Sequence, residues 1–245
     1  MYNLFIALGS GLLGGLLVRL LNFSVWACLI PGLIVFFGVY IFLARRVAVK
    51  IQTLSSAAQK ELSVQPANAR DRQQRIDKGL KILEEGLIYD RWQFLVGSGI
   101  HAQMGMIKYT IKDWEGAEHH FALSSSRNYM AAAMQAALHF QKRNYPKMEE
   151  LFENAVRSGK KEGIIWATYA WCLLQLKEKG KALKVMGRAV EANPNDEKLK
   201  SGLTALQNDK RLKMKPYEPM WWQFGLEQPP VQMMGSNRKV QFVRR

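Results

Sequence analysis

The hydrophobic pattern of this chain has two regimes, and the first needs no periodicity at all. Leu4 to Val18 and Val25 to Ala44 are apolar at nearly every position, with Arg19, Asn22 and Ser24 between them. A helix crossing a bilayer takes roughly 20 apolar residues, and about 17 suffice. One span cannot use all of residues 1–44, so the pattern predicts a helical hairpin. Its helices run over residues 2–20 and 24–44 with a minimal turn. One true span plus a re-entrant or interfacial helix is the alternative. A cleaved leader would show a basic start and one shorter apolar core, and neither is present.

Beyond Ala44 apolar residues recur three and four apart, the period of a helix with one buried face. Val47, Ile51, Leu54 and Ala58 continue the second apolar segment as an amphipathic stretch suited to lying along a membrane surface. Pro66-Ala67-Asn68 ends it. Ile76, Leu80, Leu83, Leu87 and Ile88 predict one helix through Asp90. Leu199, Leu203 and Leu206 share one face of a closing helix, which Asn195 or Asp196 can cap after Pro194.

Between these lies a spaced pattern of small and large residues. Trp166 is followed four residues on by Ala170, then by Ala182, Met186, Ala189 and Pro194. Small residues at such places let two antiparallel helices approach, large ones fill the gaps, and the proline stops the second helix. The stretch 163–196 resembles a tetratricopeptide repeat (TPR). Residues 129–162 repeat it more weakly with Ala132, Ala136, Met148, Phe152 and Ala155 around an Asn144-Tyr145-Pro146 turn. Residues 98–128 repeat it more weakly still with His101, Gly105, Trp114, Ala117, Phe121 and Ser124. Ala117, Met148 and Ala182 are 31 and 34 residues apart. The helix at 71–90 reads as a degenerate opening half-repeat.

The expected fold is therefore all-α: a transmembrane hairpin (residues 1–44), a basic juxtamembrane connector (45–70), a TPR-like α-solenoid (71–209) and an irregular aromatic tail (210–245). The resemblance implies that the first helix of each pair lines a concave face. On this sequence that face carries Ala102, Met106 and Tyr109, then Met130, Ala133, Ala137 and Phe140, then Ile164, Ala167, Trp171 and Leu174. Such a trough, rich in methionine and aromatic residues, suits an apolar helix or aromatic segment. The same positions also read as core if the phase is shifted.

The tail changes character at Lys210. A basic run, Lys210 to Lys215, precedes Pro216-Tyr217-Glu218-Pro219-Met220-Trp221-Trp222-Gln223-Phe224. Prolines at 216, 219, 229 and 230 forbid a long helix, yet adjacent tryptophans are foreign to disordered segments. Trp221 and Trp222 must be covered by something: the solenoid itself, a protein partner or the membrane interface. Residues 237–245 are basic and expected to be ordered only by a partner.

Charge refines the picture. The chain of 245 residues is 48% hydrophobic with a net charge of +15. Residues 45–75 alone carry a net +5. Arg45, Arg46 and Lys50 follow the second span directly, so the positive-inside bias puts the C-terminal part in the cytoplasm of a bacterial inner-membrane protein. Gly11 and Gly15, flanked by Ser10 and Gly14, allow close helix contact, either within the hairpin (favoured) or in a homo-oligomer. Cys28 and Cys172 lie on separate apolar helices and imply no disulfide framework. His101, His119, His120 and His139 have no metal-ligand spacing, so no metal, cofactor or catalytic residue is assigned. No nucleic-acid module accompanies the basic excess, and nucleic acid is not favoured as a partner.

These features predict a membrane-anchored scaffold, not an enzyme, that recruits protein subunits of an envelope assembly concerned with secretion, pili, motility or division. The candidate partner contacts are Met106, Tyr109, Met130, Phe140, Trp171, Leu174, Trp221 and Trp222. The alternatives are a receptor of the mitochondrial outer membrane type and a charge-driven lipid- or nucleic-acid-binding membrane protein.

Overall fold

The computed structural model describes residues 1–21 and 24–228. Asn22 in the expected turn, the prolines at 229 and 230 and the basic stretch 237–245 lie outside the described residues. The described residues are all-α, with eleven helices and no strand. They form two compact units, one of Met1–Lys108 and Glu115–Ser125, the other of Tyr109–Trp114 and Ser126–Arg245. Residues 109–114 break the sequence order of the first unit.

In the first unit, α1 (Tyr2–Leu20) packs antiparallel on α2 (Val25–Ser63). Both are long and apolar enough to cross a bilayer. Little of either apolar helix is buried inside the protein, and Leu12 is 69% and Trp26 80% exposed. A core helix of a water-soluble domain would hide such side chains. Ser24 caps α2 by accepting from the Ala27 amide at 3.4 Å.

The glycines set how closely the two helices approach. A Cβ on Gly11 would stand 2.9 Å from both the Gly32 carbonyl oxygen and Phe36 Cβ. One on Gly15 would stand 3.3 Å from the Cys28 oxygen. The Gly11–Gly15 pair thus serves the contact within the hairpin. Gly32 completes the contact from the facing helix, and sequence spacing alone had not singled it out.

Helix α2 does not stop at the end of its apolar stretch. It continues through the supposed connector to Ser63, and Ile51, Leu54 and Ala58 pack on α3 (Ala69–Glu85), the 3-10 turn Gly86–Arg91 and α4 (Val96–Thr110). The expectation of a surface-lying connector is corrected: its apolar stripe faces protein. The buried centre is Ala58, Leu83, Ile100 and Met104. Residues 71–90, expected as a half-repeat, pack here against the extension of the second apolar helix. Glu61 pairs with Lys78 at 2.6 Å and Arg75 at 3.6 Å. Asn68 caps α3 by accepting from the Asp71 amide at 2.8 Å, and the Asp71 carboxylate accepts from the Ala67 amide at 2.9 Å. Helix α5 (Trp114–Leu123) reaches α4 where Gly105 leaves room for the Phe121 ring, 2.7 Å from a hypothetical Cβ.

The second unit holds α6 (Tyr129–Gln141), α7 (Tyr145–Ser158), α8 (Gly163–Gln175), α9 (Lys179–Ala192) and α10 (Glu197–Gln207). Helix α6 pairs with α7 and α8 with α9, while α10 covers α8 and α9. Ala132, Ala136, Ala155, Ala170, Ala182 and Ala189 are all buried, as close antiparallel packing requires. The turn register is visible in the backbone: Lys112, Arg143 and Lys177 have φ of 64°, 59° and 63°, each two residues before the next helix. They too are 31 and 34 residues apart. Between the pairs, Phe152 stacks on Tyr169 at 5.0 Å. Lys181 reaches Glu149, and Arg188 forks onto both oxygens of Glu153, all at 2.8 Å.

Candidate peptide-binding groove

The first helices of the two pairs, α6 and α8, carry the side chains that build the site. Phe140 meets Trp171 edge-on at 6.0 Å, and Phe140 also tilts against Tyr145 at 6.3 Å. Ala133, Ala137, Ile164 and Ala167 are buried beside the rings. Tyr109 lies in the same unit, with its ring 5.4 Å from Trp114.

The chain's own tail packs against these rings. After α10 the backbone forms a 3-10 turn at Lys215–Tyr217 and a single helical turn, α11 (Met220–Gln223), which contacts α8. Trp221 is 1% exposed and sits edge-on to Trp171 at 5.2 Å. Phe224 is fully buried and lies 6.4 Å from Trp221. Met214 and Tyr217 are buried as well, and the Lys198 ammonium lies over the Tyr217 ring at 5.8 Å.

A polar latch fixes the register of the tail. The Tyr109 hydroxyl donates to the Phe224 carbonyl at 2.6 Å and accepts from Gln141 Nε2 at 2.9 Å. Burial pushes the Tyr109 phenol well above its ordinary range, so it stays a neutral donor. Trp221 Nε1 donates to Glu227 Oε2 at 3.0 Å. Burial likewise raises the thiol of Cys172, which is fully buried on α8 and disulfide-free. Such a thiol is a packing residue and a poor nucleophile.

Of the eight candidate contacts, the structure brings Tyr109, Phe140, Trp171 and Trp221 into one cluster. Trp222 is half-buried with its Nε1 enclosed and unpaired. Met130 and Leu174 are half-buried at the start of α6 and the end of α8, and Met106 belongs to the first unit. Of the three covers expected for Trp221, the solenoid itself, a partner or the membrane, the structure shows the first, and its role as a partner contact is not what the burial supports. Tyr217 and Phe224 were read only as part of an aromatic stretch, and Gln141 gave no signal. Their role depends on a contact spanning 115 residues, from Tyr109 to Phe224, which no local spacing encodes.

No family model matches the chain, and no curated protein matches it. Among solved structures it is similar to one described as "MamA RS-1 ArsTM double mutant", at 15% identity and a TM-score of 0.43. That likeness covers 77% of this chain and 98% of the other. The described residues are all-α, with two long apolar helices near the N-terminus and paired helices after them.

Proposed function

We propose that this protein is a membrane-anchored, TPR-like scaffold that holds protein subunits of a bacterial inner-membrane envelope assembly beside the bilayer, with its helical units in the cytoplasm. It works by binding and not by chemistry. Anchoring a partner near a membrane complex makes later encounters effectively intramolecular, which raises local concentration without new contacts.

One observation carries the reading: Trp171 on α8 and the Tyr109 hydroxyl hold an aromatic segment, residues 221–224, through ring contacts and a backbone carbonyl latch. Side-chain pockets for alternate aromatics, combined with a main-chain hydrogen bond, are how peptide-recognition modules work. The tail would act as a resident ligand that an incoming segment of similar chemistry displaces. Arg45, Arg46 and Lys50, directly after the second apolar stretch, support the cytoplasmic side.

Photo-crosslinking from position 140 in intact cells tests the proposal. The wild type should form an intramolecular adduct with the tail, and a Trp221→Ala/Phe224→Ala chain should instead capture a defined membrane-complex subunit. The same captured protein from an exposed control position such as Ile88 would contradict groove recognition. Binding driven by charge would weaken steeply between low and moderate salt, whereas groove binding would change little.

A further inference from the structure

A second site lies in the first unit, where the hairpin leaves its apolar stretch. Asn3, Leu43, Arg46, Lys50, Tyr89 and Trp92, with Val47 at the base, line a cavity of about 260 Å³. The Asn3 side chain is 1% exposed, and both its Nδ2 and Oδ1 are enclosed without a partner. Buried amides are almost always hydrogen-bonded, so a fully orphaned one calls for an explanation. Arg46 and Lys50 bring two positive charges, and none of the lining residues is a carboxylate. Lys50 Nζ stands 5.5 Å above the Tyr89 ring. Trp92 is held edge-on by Tyr2 at 5.4 Å, and its carbonyl accepts from the Asn3 amide at 3.2 Å. The first-turn backbone of α1, an end that favours anions, begins here.

Depth in the sequence decides the ligand. No charged side chain occurs between Arg19 and Arg45, and the cavity begins at Leu43. Two tyrosines and a tryptophan gather at the same level, as they do at membrane–water interfaces. The volume falls below the roughly 300 Å³ at which whole small-molecule pockets begin, which suits a headgroup rather than an entire metabolite.

We propose that this cavity binds the phosphate-ester headgroup of an anionic phospholipid. Arg46 and Lys50 neutralise the phosphate, Asn3 Nδ2 donates to a phosphate oxygen, and Asn3 Oδ1 accepts from a headgroup hydroxyl. Tyr89 and Trp92 wall the site against lipid and water. The inference rests on the reading that α1 and α2 span a bilayer.

The test uses the full chain purified in detergent and examined by native mass spectrometry with equal amounts of phosphatidylglycerol and phosphatidylcholine. Wild type should retain one phosphatidylglycerol in preference to phosphatidylcholine. Arg46→Ala, Lys50→Ala and Asn3→Ala should each weaken retention about tenfold. Arg72→Ala, which removes one exposed charge on α3, should change nothing. Asn3→Ala keeps the charge, so its loss separates a built site from diffuse attraction. If that chain misfolds by circular dichroism, the two exposed cationic positions decide the matter. Equal retention of both lipids, or equal loss in Arg72→Ala, overturns the proposal. So does displacement by millimolar glycerol 3-phosphate, which would assign the site to a soluble phosphate ester. Release of the wild type from membranes at alkaline pH would defeat the membrane reading itself, whereas firm membrane retention without lipid selectivity defeats only this inference.

Discussion

Trp221 and Phe224 account for most of what holds the tail in place. Each buries an aromatic ring against other rings, and truncating such a buried side chain costs about 3–5 kcal/mol. Trp221→Ala and Phe224→Ala should therefore lower the stability of the second unit by about that much in denaturant melts. Trp222→Ala, at a half-buried position, should cost clearly less. Tyr109→Phe removes both latch hydrogen bonds and should cost about 1–3 kcal/mol, leaving the Phe224 carbonyl buried and unmet. A Trp222 effect larger than that of Trp221 would mean that the tail is seated differently.

A pH effect belongs to the same scale. His101 Nδ1 and His120 Nδ1 are 3.1 Å apart, so one ring must be neutral to accept the proton they share. Burial, and then the charge of His119, lower the pKa of His101 below its ordinary 6.5, while Asp90 acts the other way. The unfolded chain therefore takes up this proton first as the pH falls. Stability should drop as the pH passes below 6.5, and the loss should level off beneath the folded-state pKa. Melting midpoints at about pH 7.5 and about pH 5.5 should differ less in His101→Gln than in the wild type.

At the scale of elements, the hairpin offers a sharp contrast between two glycines. Gly11 faces backbone that cannot yield, whereas Gly9 has nothing within 4 Å of a hypothetical Cβ. Gly11→Leu should destabilise the α1–α2 pair by about 1–3 kcal/mol through overpacking, and Gly9→Leu should be tolerated. Thermal unfolding in detergent distinguishes them, and equal midpoints would contradict the packing described. The glycine spacing was legible in sequence, and so was the register of the last two helix pairs. Trp166, Ala170, Ala182, Met186 and Ala189 are all buried on the helices that their spacing predicts. The stripe Val47, Ile51, Leu54 and Ala58 was equally legible, but not its partner. Periodicity reports which face of a helix is apolar and is silent on what covers it. Arg45, Arg46 and Lys50 nearby suggested lipid, and the cover over Ile51, Leu54 and Ala58 proved to be α3, the 3-10 turn and α4. The tail shows the same limit: its aromatics required burial, and only tertiary contact chose the cover.

The whole molecule joins two kinds of surface. One helix, α2, runs from a segment of membrane-spanning length into a packed core without a break. About 20 residues at 1.5 Å each give the roughly 30 Å that a bilayer needs, and the remainder of α2 is helix held by protein. A proposed anchor that continues as a folded element transmits position to the first unit more firmly than a flexible linker would. Alkaline extraction of membranes from cells expressing the full chain tests this account most directly. The protein should remain in the membrane pellet and be freed only by detergent; its appearance in the alkaline supernatant would contradict the account.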